Sequence, residues 1–421
     1  MWIHECCAAP TPVLTDVKAT VIPTERVTLT ASVTPGLGSW ERRDRGEEDM
    51  LGTMGKRVCE VAFSIGVLVV LLSFAPASAL ATDLPSSYKI EGVPLYQQID
   101  AKGCGPVALQ MIFDYYGEFI EQKEIYNAAR AGGTPLPDMV RAAHFSDLST
   151  TVGERWPDYI VTGYSARSVG YASFFYASDT PWPRELKAVV AQGYPVAVLQ
   201  NFYPDSDDPH YRVVVGYDEI REVFIVNDGW SREFKVPSGY VGSTSTMSDP
   251  NAWDTDFPGM EMSYADFELA WRCPTDRWGV EGLMYGAVMV TPWQVDVSVA
   301  SEAMVGRNIV VDVSVTYPCV GPFGTDPYPA FTASDVSIQL IVTDADGHIV
   351  CDMGVPVGTL MARGTCEASF TFVVPSGSES LSLEAWATGS VSGHLEEWND
   401  YPAYDYVDRI GGSATTVISI L

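Results

Sequence analysis

Four residues of types suited to acyl transfer follow one another along this chain: Gln98, Cys104, His210 and Asp228. Cys104 stands just before an apolar helical pattern, in which Ala108, Met111, Ile112 and Tyr115 share one face and Leu109, Phe113 and Tyr116 another. Gly105 allows a sharp turn, Pro106 suits a first helical turn, and Gly117 is a natural stop. A thiol at a helix start feels the positive end of the dipole, which favours the nucleophilic thiolate. Gln98, six residues upstream, can offer a side-chain N–H beside the backbone N–H of Cys104. Two such donors form an oxyanion hole. His210 heads the β-branched run P-H-Y-R-V-V-V-G-Y-D, and Asp228 ends the next, V-F-I-V-N-D-G-W. Nucleophile, base and orienting carboxylate are the parts of a thiol acyl-transfer centre.

Gln-x5-Cys-Gly-Pro before an apolar helix, then His opening a strand, then Asn-Asp after a hairpin, resembles the papain-like cysteine peptidases of family thirty-nine. That group contains the double-glycine leader peptidases of bacteriocin exporters and secreted relatives. The resemblance covers about residues 88–292. It implies that Cys104 is the nucleophile, His210 the base, Asp228 its orienter and Gln98 the oxyanion donor. Relatives usually follow the Asp with Pro, whereas this chain has Gly229. Asn227 remains a second candidate for the orienter, because papain itself uses an Asn. The transporter segments of the exporter branch are absent from this sequence.

The elements that must position these residues read as α+β. Helical patterns follow Gly117 (E-Q-K-E-I-Y-N-A-A-R-A-G), begin near Pro137, and run from Arg184 to Gln192. Strands are expected at 171–176, 195–200, around His210 and Asp228, at 233–236 and at 285–291. His144, between them, reads as a surface or packing residue. Pro292-Trp293 marks a boundary. Beyond it, seven alternating segments (295–299, 309–315, 336–342, 349–353, 369–374, 382–387 and 416–420) suggest an immunoglobulin-like β-sandwich. The tyrosines of 401–406 read as loop packing. The fold class is therefore an α+β papain-like cysteine peptidase domain followed by an all-β immunoglobulin-like sandwich domain.

Four segments result: a non-structural extension over 1–53, a signal peptide over 54–81, the papain-like domain over 82–292 and the sandwich over 293–421. The signal reading rests on Lys56 and Arg57, the apolar stretch 61–74 and the small residues near Ala81; an uncleaved anchor is the alternative. It makes the protein secreted or held at the cell surface. Five cysteines then remain, Cys104, Cys273, Cys319, Cys351 and Cys366, and Cys351 with Cys366 is the expected disulfide.

The chain has 421 residues, 47% of them hydrophobic, enough for two cores, and a net charge of −29. That charge argues against nucleic acid or an anionic membrane as partner. Asp205, Asp207 and Asp208 precede His210, and Asp249, Asp254, Asp256 and Glu261 follow in a Pro/Gly-containing stretch. They read as solvated loops, or as a negative rim that favours basic substrate segments and raises the pKa of His210. No loop has EF-hand spacing, and His394 with Glu396 and Glu397 reads as a solvated turn, so neither metal nor cofactor is expected. The expected activity is hydrolysis of peptide bonds in a peptide or protein substrate, with the sandwich contacting a cell-surface partner. The competing reading is a secreted or surface binding module whose papain-like half is inactive, and a weaker one is acyl transfer to an amine.

Overall fold

The computed structural model describes residues 17–22 and 26–32 as strands, and residues 84–421 apart from 131, 153–155, 157, 160–161, 205, 207, 231–257, 275–281 and 320–331. The first half is built on one sheet. Its strands are β3 (Ser87–Lys89), β4 (Ala172–Ser178), β5 (Val196–Asn201), β6 (Pro209–Asp218), β7 (Val223–Asn227), β8 (Met260–Ser263) and β9 (Met284–Thr291). They run in the order β4-β9-β5-β6-β7-β8, with β3 pairing β6. Every residue of β5 is buried, and so are eight consecutive residues of β6, which explains why these strands read as continuous apolar runs.

Five helices accompany this sheet among the described residues: α1 (Cys104–Tyr115), α2 (Gln122–Ala128), α3 (Leu136–His144), α4 (Pro183–Val190) and α5 (Tyr264–Trp271). α1 is apolar on most sides, and Leu109, Met111, Ile112 and Phe113 are wholly buried. Gly117, at φ +90°, ends it as expected. α5 begins where the Ser263 hydroxyl caps the Asp266 amide at 3.1 Å. His144 is fully buried, a packing residue whose Nε2 lies 3.2 Å from the Ser173 carbonyl.

The regular elements among the described residues of the second half are strands: β10 (Gln294–Val299), β11 (Asn308–Thr316), β12 (Thr332–Asp344), β13 (Ile349–Met361), β14 (Thr365–Val373), β15 (Ser380–Leu395) and β16 (Tyr404–Ser419). One sheet runs β13-β12-β15-β16. Strands β10, β11 and β14 belong to the other, and alternate residues of β11, β12 and β15 are buried in a common apolar core. Tyr404 and Tyr406 lie on β16 and not in a loop.

Two expectations need correction. Residues 1–53 are not without structure, since β1 (Val17–Ile22) and β2 (Arg26–Ser32) form a hairpin, and β2 pairs in parallel with β14. The β-branched residues of V-K-A-T-V-I and R-V-T-L-T-A-S support strand pairing despite the charges around them. The expected Cys351–Cys366 disulfide is also absent, because both thiols are free. Each is held in the register of a different sheet, Cys351 opposite Val342 and Cys366 opposite Val315. The expected signal peptide and the strand at 233–236 lie outside the described residues. Among the described residues no helix is long and apolar enough to cross a membrane.

The two halves share a buried, bonded seam. Gly170 donates its amide to the Arg409 carbonyl at 2.7 Å, and Gly411 donates back to Gly170 at 3.0 Å. Arg141 of α3 forms an ion pair with Asp408 of β16 at 3.3 Å, both side chains almost completely buried. Trp293, at the junction, packs on Tyr317 with ring centroids 4.9 Å apart. Removing one member of a buried pair strands the other charge, at a cost of about 3–5 kcal/mol. Asp408→Ala should therefore lower the unfolding free energy by about that amount in urea titration. A loss below about 1 kcal/mol would place the pair in the weak, solvated class.

Candidate active site

Cys104 is the first residue of α1 and is buried. Its backbone N–H belongs to the first turn, where donors have no intrahelical acceptor. The segment entering the helix is fixed at several points. Asp100 Oδ1 accepts hydrogen bonds from the Lys102 amide at 2.8 Å and the Tyr126 hydroxyl at 2.6 Å. Gln122 accepts from the Ile99 amide at 2.8 Å and donates to the Gln97 carbonyl at 3.1 Å. Asp100, Gln122 and Tyr126 thus set the approach to the thiol.

His210 is the second residue of β6, and Asp228 immediately follows β7. His210 Nε2 lies 2.7 Å from Asp228 Oδ1. The other carboxylate oxygen accepts from Arg212 Nε at 2.8 Å, and the Trp230 amide donates to Oδ1 at 2.9 Å. The physical origin is strand alternation: His210 and Arg212, two apart on β6, face the same side and meet the two oxygens of one carboxylate. Tyr211, between them, faces away and donates its hydroxyl to the Thr134 carbonyl at 2.9 Å. Arg212 is completely buried and also donates to Gln200 Oε1 at 3.1 Å and to the Phe202 carbonyl at 2.7 Å.

Burial pushes the Asp228 carboxyl up, but His210, Arg212 and the donors around it outweigh that and hold it well below the usual carboxylate range. Burial likewise pulls the His210 imidazole down, yet Asp228 and the Cys104 side chain hydrogen-bonded to it bring it above its ordinary value. An ionised carboxylate only accepts, so Nε2 of His210 carries a proton and Nδ1 is left for the thiol. Phe202 and Trp230 pack on the imidazole, with centroids 4.9 and 6.0 Å away, and shield the cluster from water.

Asn227 turns to the opposite side. Its amide donates to the Pro94 carbonyl at 3.1 Å, and its oxygen accepts from the Gly259 amide at 2.9 Å. Asp228 therefore meets His210 and Asn227 does not. Gln98 lies beside this entry segment, 3% exposed, with Nε2 donating to the Asp100 carbonyl at 2.6 Å. A primary amide has two N–H groups, and this contact uses one. Its Oε1 is buried without a partner.

The acidic rim is only partly described. Asp205, Asp207, Asp249, Asp254 and Asp256 lie outside the described residues, and Asp208 is exposed. Glu261 of β8 pairs with Arg221 of the turn between β6 and β7. Among the charges resolved, Asp228 is what raises His210. His394 sits on β15 with Nδ1 2.7 Å from Asp405 of the neighbouring strand, an exposed cross-strand pair.

Residues 90–271 match the family model described as Peptidase_C39 like family. Gln98, Cys104, His210 and Asp228 all fall inside that span. This span is thus similar to the cysteine peptidases of that family. Solved structures similar to the chain include xylellain, a cysteine protease from Xylella fastidiosa, at 13% identity and TM-score 0.31, covering 50% of this chain and 87% of that one. The peptidase domain of Streptococcus ComA is similar at 17% identity and TM-score 0.26, covering 48% and 98%. The CARDB domain of a Pyrococcus furiosus protein is similar at 12% identity and TM-score 0.19, covering 31% and 87%. No curated protein matches.

Gly229, where the resemblance implies Pro, has a steric reason here. A Cβ at this position would lie 2.4 Å from Val107 Cγ1 on α1 and 3.1 Å from the Tyr96 carbonyl. The absence of a side chain lets α1 approach the end of β7. Gly229→Ala should cost about 1–3 kcal/mol through overpacking and displace Cys104 from His210. Val107→Ala in the same chain should restore most of the loss in thermal unfolding. If the double variant is no more stable than Gly229→Ala, the clash is not the cause.

Proposed function

We propose that this protein is a secreted or cell-surface cysteine peptidase that hydrolyses peptide bonds with Cys104 as nucleophile, His210 as base and Asp228 as orienter. The observation that carries the reading is the buried chain of contacts from Cys104 through His210 to Asp228, ending on Arg212. The thiolate attacks the substrate carbonyl carbon, and His210 delivers its Nδ1 proton to the leaving amine. Water, deprotonated by the same nitrogen, then releases the acyl group as a carboxylic acid and regenerates the thiolate–imidazolium pair. The Cys104 amide and the second N–H of Gln98 stabilise the oxyanion. No metal or cofactor takes part in this scheme. The net charge of −29 supports a preference for basic substrate segments.

The C-terminal two-sheet unit fits an immunoglobulin-like sandwich, which would place the peptidase on a surface partner. A second reading, a binding module with an inactive papain-like half, is favoured by one observation: the Gln98 amide points at Asp100.

The sign of the pH dependence tests the assignment. Asp228 raises the His210 pKa, so the imidazolium half of the thiolate–imidazolium pair persists to higher pH with the carboxylate than without it. Asp228→Asn keeps an acceptor for Nε2 but loses the charge. The alkaline limb of kcat/KM should move to lower pH, and the maximum should fall by roughly 10²-fold or more. Asn227→Ala should leave the limb in place while loosening the 93–94 and 259 contacts. A pH–rate profile crippled by Asn227→Ala and unchanged by Asp228→Asn would reverse the roles.

A further inference from the structure

The turn between α2 and α3 touches the candidate catalytic centre on one side and the C-terminal domain on the other. Thr134 packs so closely on Gly105, the residue after Cys104, that a Cβ at Gly105 would lie 2.8 Å from its Cβ and Oγ1. The Thr134 carbonyl accepts from Tyr211, the neighbour of His210, at 2.9 Å. The Thr134 hydroxyl itself is buried and has no partner. Gly132 and Gly133, which precede Thr134, are half-exposed and carry positive φ.

On the other side lies the tip joining β15 to β16. Trp398 Nε1 donates to the Gly133 carbonyl at 3.0 Å. Trp398 is fixed in a tight turn, bonded to Tyr401 in both directions at 2.9 and 3.0 Å. Arg130 braces the same turn. Its guanidinium donates to both oxygens of Asp138, at 2.6 and 3.0 Å, and to the Glu396 and Pro402 carbonyls at 2.8 and 3.2 Å. The fork is thus filled on one edge by α3 and on the other by the C-terminal domain.

We propose that the C-terminal domain completes the substrate cleft: Trp398 is a positioning residue that holds the Gly132–Thr134 turn as a cleft wall beside Cys104. This rests on the peptidase reading, and it assigns to the β-domain a role in seating the peptide. The contact is made through one indole N–H, so Trp398→Phe removes the hydrogen bond and keeps the ring.

Two alkylating probes separate the possibilities. Iodoacetamide needs only the Cys104–His210 pair, whereas a blocked Phe-Arg fluoromethyl ketone must also lie along the cleft wall. In the wild-type protein the peptidyl probe should label Cys104 faster than iodoacetamide at equal concentration. In Trp398→Phe that rate should drop about tenfold through misplacement of the wall, with iodoacetamide labelling and thermal midpoint unchanged. Asp400→Ala, an exposed change in the same turn, should alter neither. If Trp398→Phe does not fold, Arg130→Lys, which keeps the charge toward Asp138 but loses the fork, should show the same split. Equal loss of both rates, loss of neither, or no peptidyl advantage in the wild type would overturn the proposal. Failure of both probes to select Cys104 in the wild type would instead remove the peptidase reading, and this inference with it.

Discussion

The buried carboxylate of Asp228 is the constraint on which the rest of the first half depends. It is fully buried, and moving an unpaired ion out of water costs several kcal/mol. Two cations and a backbone amide offset that cost here: His210 at 2.7 Å, Arg212 at 2.8 Å and the Trp230 amide at 2.9 Å. The His210 contact orients the imidazole. The Arg212 contact keeps the carboxylate charged when His210 is neutral, so the pair can cycle its proton without Asp228 taking it up. Arg212 is in turn fixed by Gln200 and by the Asn201 and Phe202 carbonyls at the end of β5. The centre is therefore a charge cluster threaded through three strands.

The remaining architecture brings the Cys104 thiol to that cluster. α1 is buried on most sides, so its position is set by packing, and two glycines decide how near it comes. Gly229 admits Val107 at the end of β7, and Gly105 admits Thr134. Because interiors are packed to crystal-like density, displacement at either contact reaches Cys104 without much relaxation. The seam with the second half continues the same chain of contacts through Gly133, Trp398 and Arg130.

Much of this was legible in the residues because periodicity and order carry it. The apolar faces of 104–116 mark α1, and the His and Asp blocks mark strands that must be neighbours. Arg212 was not legible as part of the site, since charged residues in strands are common; the available signal was its two-residue spacing from His210. The choice between Asn227 and Asp228 could not be read from V-F-I-V, because both faces of β7 are apolar and β6 has a register shift between Val214 and Gly216. In the second half the strand positions were readable but their lengths were not. The expected strand covers 349–353, yet β13 runs on through Gly354, Pro356 and Gly358 to Met361. An edge strand tolerates a missing N–H on its open side. The β1–β2 hairpin was masked by the charged run that follows it and by its pairing with a strand more than 300 residues away, a partner no local pattern reveals.

The central claim is that Cys104 works as a nucleophile on peptide bonds, and the direct measurement is turnover of a mixed peptide library under reducing conditions, read by mass spectrometry. The wild-type protein should cleave a subset of peptides, and Cys104→Ala, which removes one sulfur from an otherwise intact cluster, should cleave none of them while keeping its thermal midpoint. Equal cleavage by both proteins, or no cleavage by a folded wild-type protein, would contradict the account.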